Sequence, residues 1–312
     1  MLRAVFLWLS EQPSIFGFVR RNGLARKLAS RFVAGETVDD AIATARELNA
    51  TAGGLSVSLD LLGESVLHAA EAERACATYL ELLDRIHAAK VNANVSVKLT
   101  QMGLDIDEAL CIRNMKSIIG RAQQYDSFVR IDMEQSTYTA KTLELFTTVL
   151  YPEFGNAVGV VLQSYLRRTA ADVDAMIALG ARVRLCKGAY KEPPDVAFPE
   201  KKDVDANFVS CMERLLERGN YPGIATHDGK IIAHAKSFAA RHAIPPARYE
   251  FQMLYGVRRD LQNKLRREAF NMRVYVPFGT HWYPYLMRRL AERPANVAFI
   301  TANVLKESVH RR

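Results

Sequence analysis

The chain has 312 residues, 49% of them hydrophobic, which is enough to bury a large core, and an α/β barrel of that size is commonly a single domain. Lysine and arginine outnumber aspartate and glutamate by 42 to 34, giving a formal charge of +8, yet the basic residues are spread along the chain and form no tract that would mark a nucleic-acid partner. No run reaches the ~18 apolar residues of a membrane-spanning helix, and Cys76, Cys111, Cys186 and Cys211 show neither a Cys-x-x-Cys pair nor a zinc spacing with histidine, as suits reduced thiols in a cytoplasmic protein.

The first ten residues, Met1-Leu-Arg-Ala-Val-Phe-Leu-Trp-Leu-Ser10, carry one positive charge and a short apolar run with no small-residue cleavage site, and Arg20-Arg21 follow soon after. They read as a helix packed on the body or as an amphipathic contact with an anionic membrane surface, not as a signal peptide. Residues 1–50, which include Glu36-Thr-Val-Asp-Asp-Ala-Ile-Ala-Thr-Ala-Arg46, are expected to form a helical segment packed on a barrel at residues 51–312.

Beyond residue 50, short apolar or β-branched runs alternate with stretches of helical periodicity. The expected strands are 54–59, 94–98, 127–132, 158–163, 182–186, 223–226, 248–252 and 272–276. Between them, residues 64–89, 105–125, 137–150, 169–179, 203–218 and 230–242 repeat apolar residues every three or four positions, as helices do. Strands alternating with helices imply a parallel sheet, and eight such units closing on themselves make a (β/α)8 barrel, with an open doubly wound sheet as the alternative.

A (β/α)8 barrel does its chemistry where the strands end, and polar residues gather there: Lys98, Asp132, Glu134, Gln163, Arg184, Lys187, His227, Asp228 and Gln252, with Tyr275 in the last strand. After that strand comes Tyr283-Pro-Tyr-Leu-Met-Arg-Arg-Leu290, where Tyr285, Arg288 and Arg289 fall three and four positions apart. One helical face then presents an aromatic ring beside guanidinium groups, which suits a small carboxylate with an apolar body. No Gly-x-Gly-x-x-Gly fingerprint is present, so no Rossmann unit supplies dinucleotide binding. His227, Asp228 and His234 lack a third well-spaced partner for a metal.

Ordered segments over most of the chain resemble the proline dehydrogenase family, in its monofunctional bacterial form. They are Leu59-Asp-Leu-Leu-Gly-Glu64, Val95-Ser-Val-Lys-Leu-Thr100, Arg130-Ile-Asp-Met-Glu134, Leu162-Gln-Ser-Tyr165, Arg184-Leu-Cys-Lys-Gly-Ala-Tyr190, Ala225-Thr-His-Asp228, Tyr249-Glu-Phe-Gln-Met-Leu-Tyr-Gly256, Tyr275-Val-Pro-Phe-Gly279 and the run from Tyr285 to Asn296. The resemblance implies a distorted (β/α)8 barrel that binds FAD at the strand C-terminal ends, with the last helix over the mouth. It implies that Lys98, Arg288 and Arg289 bind the proline carboxylate, that Asp132 lies beside Lys98 and the substrate, and that Arg184 lies against the flavin. Flavin and FAD contacts are implied for Met133, Gln163, Lys187, Gly188, Ala189, Thr226, His227 and Glu292, and a wall for the proline ring from Tyr275, Tyr285 and Leu254. Lys191 departs from the tryptophan of bifunctional relatives, which puts the dinucleotide contacts there in doubt. The length leaves no room for the aldehyde dehydrogenase domain of those relatives, so the product, 1-pyrroline-5-carboxylate, is expected to pass to a separate pyrroline-5-carboxylate dehydrogenase and the electrons to a quinone-type acceptor at the membrane.

The chemistry explains these residue types. Proline offers one fixed anionic handle, and two guanidinium groups with an ammonium can fix it from several directions. A preorganised cation at Arg184 can stabilise charge as it develops. Asp132 and Glu292 are expected to balance the cations. No residue is assigned as the base for the substrate amine. Two other readings remain from the residues alone: a lyase or aldolase with a Schiff base at Lys98 or Lys187, and a basic module for nucleic acid or anionic lipid with steeply salt-dependent binding.

Overall fold

The structure, a computed structural model, describes residues 29–51 and 53–292, apart from the side chains of Arg288, Leu290, Ala291 and Glu292. Eight parallel strands close into a barrel in sequence order: β1 (Ser56–Leu61), β2 (Ala93–Val97), β3 (Val129–Ile131), β4 (Val158–Gln163), β5 (Arg182–Cys186), β6 (Gly223–Ala225), β7 (Glu250–Leu254) and β8 (Asn271–Phe278). Helix α1 (Val38–Ala50) precedes the barrel, and each strand is followed by a helix: α2 (Ala69–Ala89), α3 (Glu108–Gln124), α4 (Ser136–Leu145), α5 (Thr169–Leu179), α6 (Lys201–Arg218), α7 (Gly229–Arg241), α8 (Arg259–Arg267) and α9 (Trp282–Glu292). The (β/α)8 fold read from the alternation is the fold observed, and the open sheet is not.

The strands obey a strict period of two. Val57, Leu59, Val95, Val97, Val129, Ile131, Val183, Leu185, Phe251, Met253, Val274 and Val276 are buried in one hydrophobic core, packed between sheet and helices. The residues between them, among them Ser58, Asp60, Ser96, Arg130, Arg184, Glu250, Gln252 and Arg273, turn inward. Branched aliphatic side chains usually fill such a barrel. Here the filling is polar, and two glycines make room for it. A Cβ on Gly159 of β4 would lie 2.8 Å from Nη1 of Arg130, and one on Gly223 of β6 would lie 2.4 Å from Nε2 of Gln252.

Helix α1 starts at a reciprocal cap: Thr37 Oγ1 accepts from the Asp40 N–H at 3.1 Å, and Asp40 Oδ2 accepts from the Thr37 N–H at 3.0 Å, satisfying donors that a helix start leaves open. The segment before it ties to the last helix, where Trp282 Nε1 donates to Glu36 Oε1 at 3.0 Å. Residues 1–28, the start of the expected N-terminal segment, lie outside the described residues.

Strands β4 and β5 and helix α5 occupy the positions expected from sequence, while other boundaries moved for local reasons. Gly53 and Gly54 take positive φ values of 90° and 66°, so the chain is still turning where a strand was expected, and β1 runs two residues further, through Asp60. A short 3-10 turn at Pro246–Arg248 likewise delays β7. The stretch from residue 64 becomes helical only at Ala69, leaving a loop at the mouth. Helix α4 gives way at Phe146–Leu150 to a wider π-type turn. Helix α8 had no counterpart in the reading, because its nine residues, Arg-Asp-Leu-Gln-Asn-Lys-Leu-Arg-Arg, carry only two apolar side chains and no stripe.

Candidate active site

The C-terminal ends of the strands surround a cavity of about 1880 Å³, above the usual range of ~300–1000 Å³ for a small-ligand pocket. Lys98, Asp132, Met133, Gln163, Arg184, Lys187, Gly188, Ala189, Thr226, His227, Leu254, Tyr275, Tyr285 and Arg289 all line it. The side chains of Arg288 and Glu292, also named from sequence, lie outside the described residues, although both positions belong to α9.

Arg184 stands at the centre of the floor, 6% exposed. Its Nε donates to Gln252 Oε1 at 2.5 Å, Nη1 to Asp132 Oδ1 at 2.7 Å, and Nη2 to the hydroxyls of Ser96 at 3.1 Å and Ser58 at 3.3 Å. Three other strands and the residue that follows β3 thus hold one guanidinium, and the planar fork of arginine is what permits it. Tyr275 lies beneath the same guanidinium, 5.2 Å from ring centroid to Cζ, and donates its hydroxyl to Asp132 Oδ2 at 2.7 Å. Burial and the Asp132 carboxylate push the Tyr275 phenol well above its ordinary pKa, so it remains a donor.

The direct ion-pair partner of Lys98 is Asp60, with Nζ 2.7 Å from Oδ1, and the Asp132 carboxylate adds its charge. Burial works to lower the Lys98 pKa, and the Asp60 and Asp132 carboxylates outweigh it, leaving the ammonium well above its usual value. Asp60 moves up as well, pushed by burial against the pull of Lys98 and assisted by Asp132. The inward phase of Ser-Val-Ser-Leu-Asp-Leu61 would have found Asp60, had the strand not been ended at Leu59.

Around this floor the walls have separate supports. Glu134 takes the Thr100 N–H at 3.2 Å and its hydroxyl at 2.5 Å, and Thr100 Oγ1 in turn accepts the Ser65 N–H at 3.0 Å, so three mouth loops share one carboxyl. Burial raises the Glu134 pKa to about 7. Lys187 forms ion pairs with Asp205 at 2.6 Å and Asp228 at 3.1 Å. His227 accepts the Leu254 N–H on Nε2 at 3.0 Å, so that nitrogen carries no proton. His234 points elsewhere, to Glu213 at 2.6 Å, which separates it from His227. On α9, Tyr285 is buried and the Arg289 guanidinium stacks 5.1 Å from its ring centroid, as the helical spacing implied.

The donor set suits a flavin. Gln163 gives Nε2 to the Met133 carbonyl at 3.3 Å, while its Oε1 is buried without a partner, an acceptor waiting for a ligand N–H such as a flavin ring carries. Gly188 has φ of 105°, and a Cβ there would lie 2.3 Å from the Tyr165 ring, so the backbone of Lys187-Gly-Ala189 reaches the cavity edge in a way only glycine allows.

Comparison with known proteins agrees with this geometry. The sequence model of the family described as Proline dehydrogenase matches residues 41–302. The chain is 43% identical to Proline dehydrogenase 1 of Bacillus subtilis (strain 168), covering 98% of this chain and 100% of that protein. It is 41% identical to Proline dehydrogenase of Deinococcus radiodurans, covering 98% of each. Among solved structures, it superposes with a TM-score of 0.79 and 27% identity on proline utilization A of Bdellovibrio bacteriovorus inactivated by N-propargylglycine, covering 92% of this chain. This chain spans 34% of the length of that protein.

Proposed function

The chain belongs to the proline dehydrogenase family, and from that premise we propose that it oxidises L-proline to 1-pyrroline-5-carboxylate with FAD held in the barrel mouth. The observation that carries this reading is the cavity, where Arg184 is fixed by Asp132 and Gln252 and Gln163 brings an unpartnered acceptor. Met133, Gln163, Arg184, Lys187, Gly188, Ala189, Thr226, His227 and Glu292 would hold the cofactor. When bound, FAD supplies a two-electron acceptor for the hydride that leaves C5 of proline.

The protein residues bind and orient. Lys98, Arg288 and Arg289 take the substrate carboxylate from different sides, and Tyr275, Tyr285 and Leu254 wall its ring. Orientation of this kind replaces a chance encounter by a near-unimolecular step. Arg184 keeps a fixed positive charge where negative charge develops, and because Ser58, Ser96, Asp132 and Gln252 already hold it, little reorganisation is needed. Asp132 keeps Arg184 and Tyr275 in register. Electrons would pass to a quinone-type acceptor and the product to a pyrroline-5-carboxylate dehydrogenase. Among the described residues no helix is long and apolar enough to cross a membrane.

The raised pKa of Lys98 argues against a Schiff base at that residue, since a nucleophilic lysine must lose its proton. A visible spectrum of the purified protein, read again after anaerobic addition of proline, tests the proposal. Flavin bands that bleach with proline are the expected result; a colourless holoprotein, or bands indifferent to proline, would overturn it.

A further inference from the structure

The opposite mouth of the barrel, where the strands begin, contains a second cavity of about 510 Å³ with Arg130, Arg182 and Arg273 in its wall. Register places Arg130 of β3 and Arg182 of β5 at one level, on either side of Gly159. The missing side chain at Gly159 is what admits the Arg130 guanidinium, and Nη1 of Arg130 donates to the Arg182 carbonyl at 2.6 Å and the Val160 carbonyl at 3.1 Å. Both guanidiniums stack on the Phe128 ring, 4.7 Å away for Arg130 and 4.2 Å for Arg182.

The charges in this layer do not balance. Among the described residues Glu250 is the buried carboxylate of this layer, and Arg273 holds it at 2.8 Å; the other acid on the cavity wall, Asp126, is exposed to solvent. Among the described residues, neither Arg130 nor Arg182 has a carboxylate within ion-pair distance, and the Nε of each is buried without a hydrogen-bond partner. Arg130 is 2% exposed. Its burial, and then the nearness of Arg184 and Arg182, press its pKa well below the ordinary arginine value. A lysine so placed would shed its proton, but a guanidinium in a protein does not. Buried charge of that kind calls for a counter-ion.

We propose that this N-terminal mouth is a structural anion site, in which Arg130 and Arg182 bind a small tetrahedral oxyanion of the phosphate class. The two guanidiniums on the cavity wall, without a carboxylate partner, suit its oxygens, and charge-assisted bonds of arginine to phosphate are the strong, directional kind. The site lies across the barrel floor from the proposed catalytic mouth, so its occupancy stabilises the barrel without competing with substrate. The inference stands independently of the flavin reading.

The test is thermal unfolding of the purified holoenzyme titrated with inorganic phosphate, with sodium chloride holding ionic strength constant. A saturable rise in Tm of about 2–5 °C is expected at phosphate well above its Kd, absent from Arg182→Gln. A response to phosphate no larger than to chloride, or one that survives Arg182→Gln, overturns the proposal. Because Arg182→Gln can fail to fold, equilibrium dialysis of the unmodified holoenzyme against radiolabelled phosphate supplies a second reading. One sulfate-displaceable phosphate per chain supports the site, and none overturns it.

Discussion

The two faces of the barrel sheet are built from the same strands and follow opposite rules. Outward residues such as Leu59, Val97, Leu185 and Phe251 are fully buried aliphatic or aromatic groups, held by contacts that have no direction and tolerate exchange of one apolar shape for another. Inward residues one position away are polar and have named partners: Ser58, Ser96, Asp132 and Gln252 all bind Arg184. A strand slipped by a single residue would exchange the faces, so the apolar outer face fixes the register in which the polar inner face works. Stability and chemistry are thereby separated by one position along strands such as β1, β2, β5 and β7.

That separation can be broken or sharpened by substitution. The largest effect is expected on the outer face, where Phe251→Ala should remove about 3–5 kcal/mol of stability by leaving a cavity, read by denaturant unfolding, while kcat/KM per folded molecule stays within about twofold. A tenfold loss of kcat/KM in the folded fraction would show that the faces are not independent. On the inner face, Arg184→Ala should slow flavin reduction by about 10²–10³-fold, the loss typical of a removed preorganised donor, and stopped-flow with proline measures it directly. Unchanged reduction together with unchanged FAD retention would remove Arg184 from the proposed chemistry.

The smallest effect concerns Glu134, which supports the mouth without lying in its floor. The folded protein keeps the Glu134 proton up to about pH 7, whereas a glutamate of ordinary pKa 4.5 loses it much earlier. Ionisation therefore costs the folded state, and the contribution of this group to stability falls as pH rises from about 4.5 to about 7. Glu134→Gln has no such proton to lose. Its Tm relative to the unsubstituted protein should climb by a few degrees across that interval and level off above it; a difference that does not vary with pH would contradict the raised pKa.

Much of this was legible because the alternation was so regular. Arg-Val-Arg-Leu-Cys186 shows both faces at once, and β5 is found where it was expected. Asp132, Gln252 and Tyr275 around Arg184 were visible as polar groups at strand ends, whereas Ser58 and Ser96, inside β1 and β2, gave no such signal. What escaped was pairing. Asp132 acts on Lys98 through its charge, but the direct partner of the ammonium is Asp60 and the direct partner of Asp132 is Arg184, and no linear pattern encodes which of two nearby carboxylates a cation will take. Arg130, Glu250 and Arg273 lie toward the starts of their strands, away from the ends where a (β/α)8 barrel does its chemistry. Helix α8 escaped because a charged surface helix has no hydrophobic stripe to betray it.

The seam of the barrel carries one further consequence. Strands β1 and β8 pair from Ser56↔Arg273 to Leu61↔Phe278, and Arg273 donates to the Val57 carbonyl from 216 residues away in sequence. Contacts of such separation are slow to find because the intervening chain must first be ordered. Until the seam shuts, Ser58 lies on a strand not yet joined to its neighbour, and the guanidinium it helps to hold is exposed to water. Refolding followed by regain of proline-dependent flavin reduction should lag the recovery of helical circular dichroism, because the polar interior is completed by the last strand to arrive.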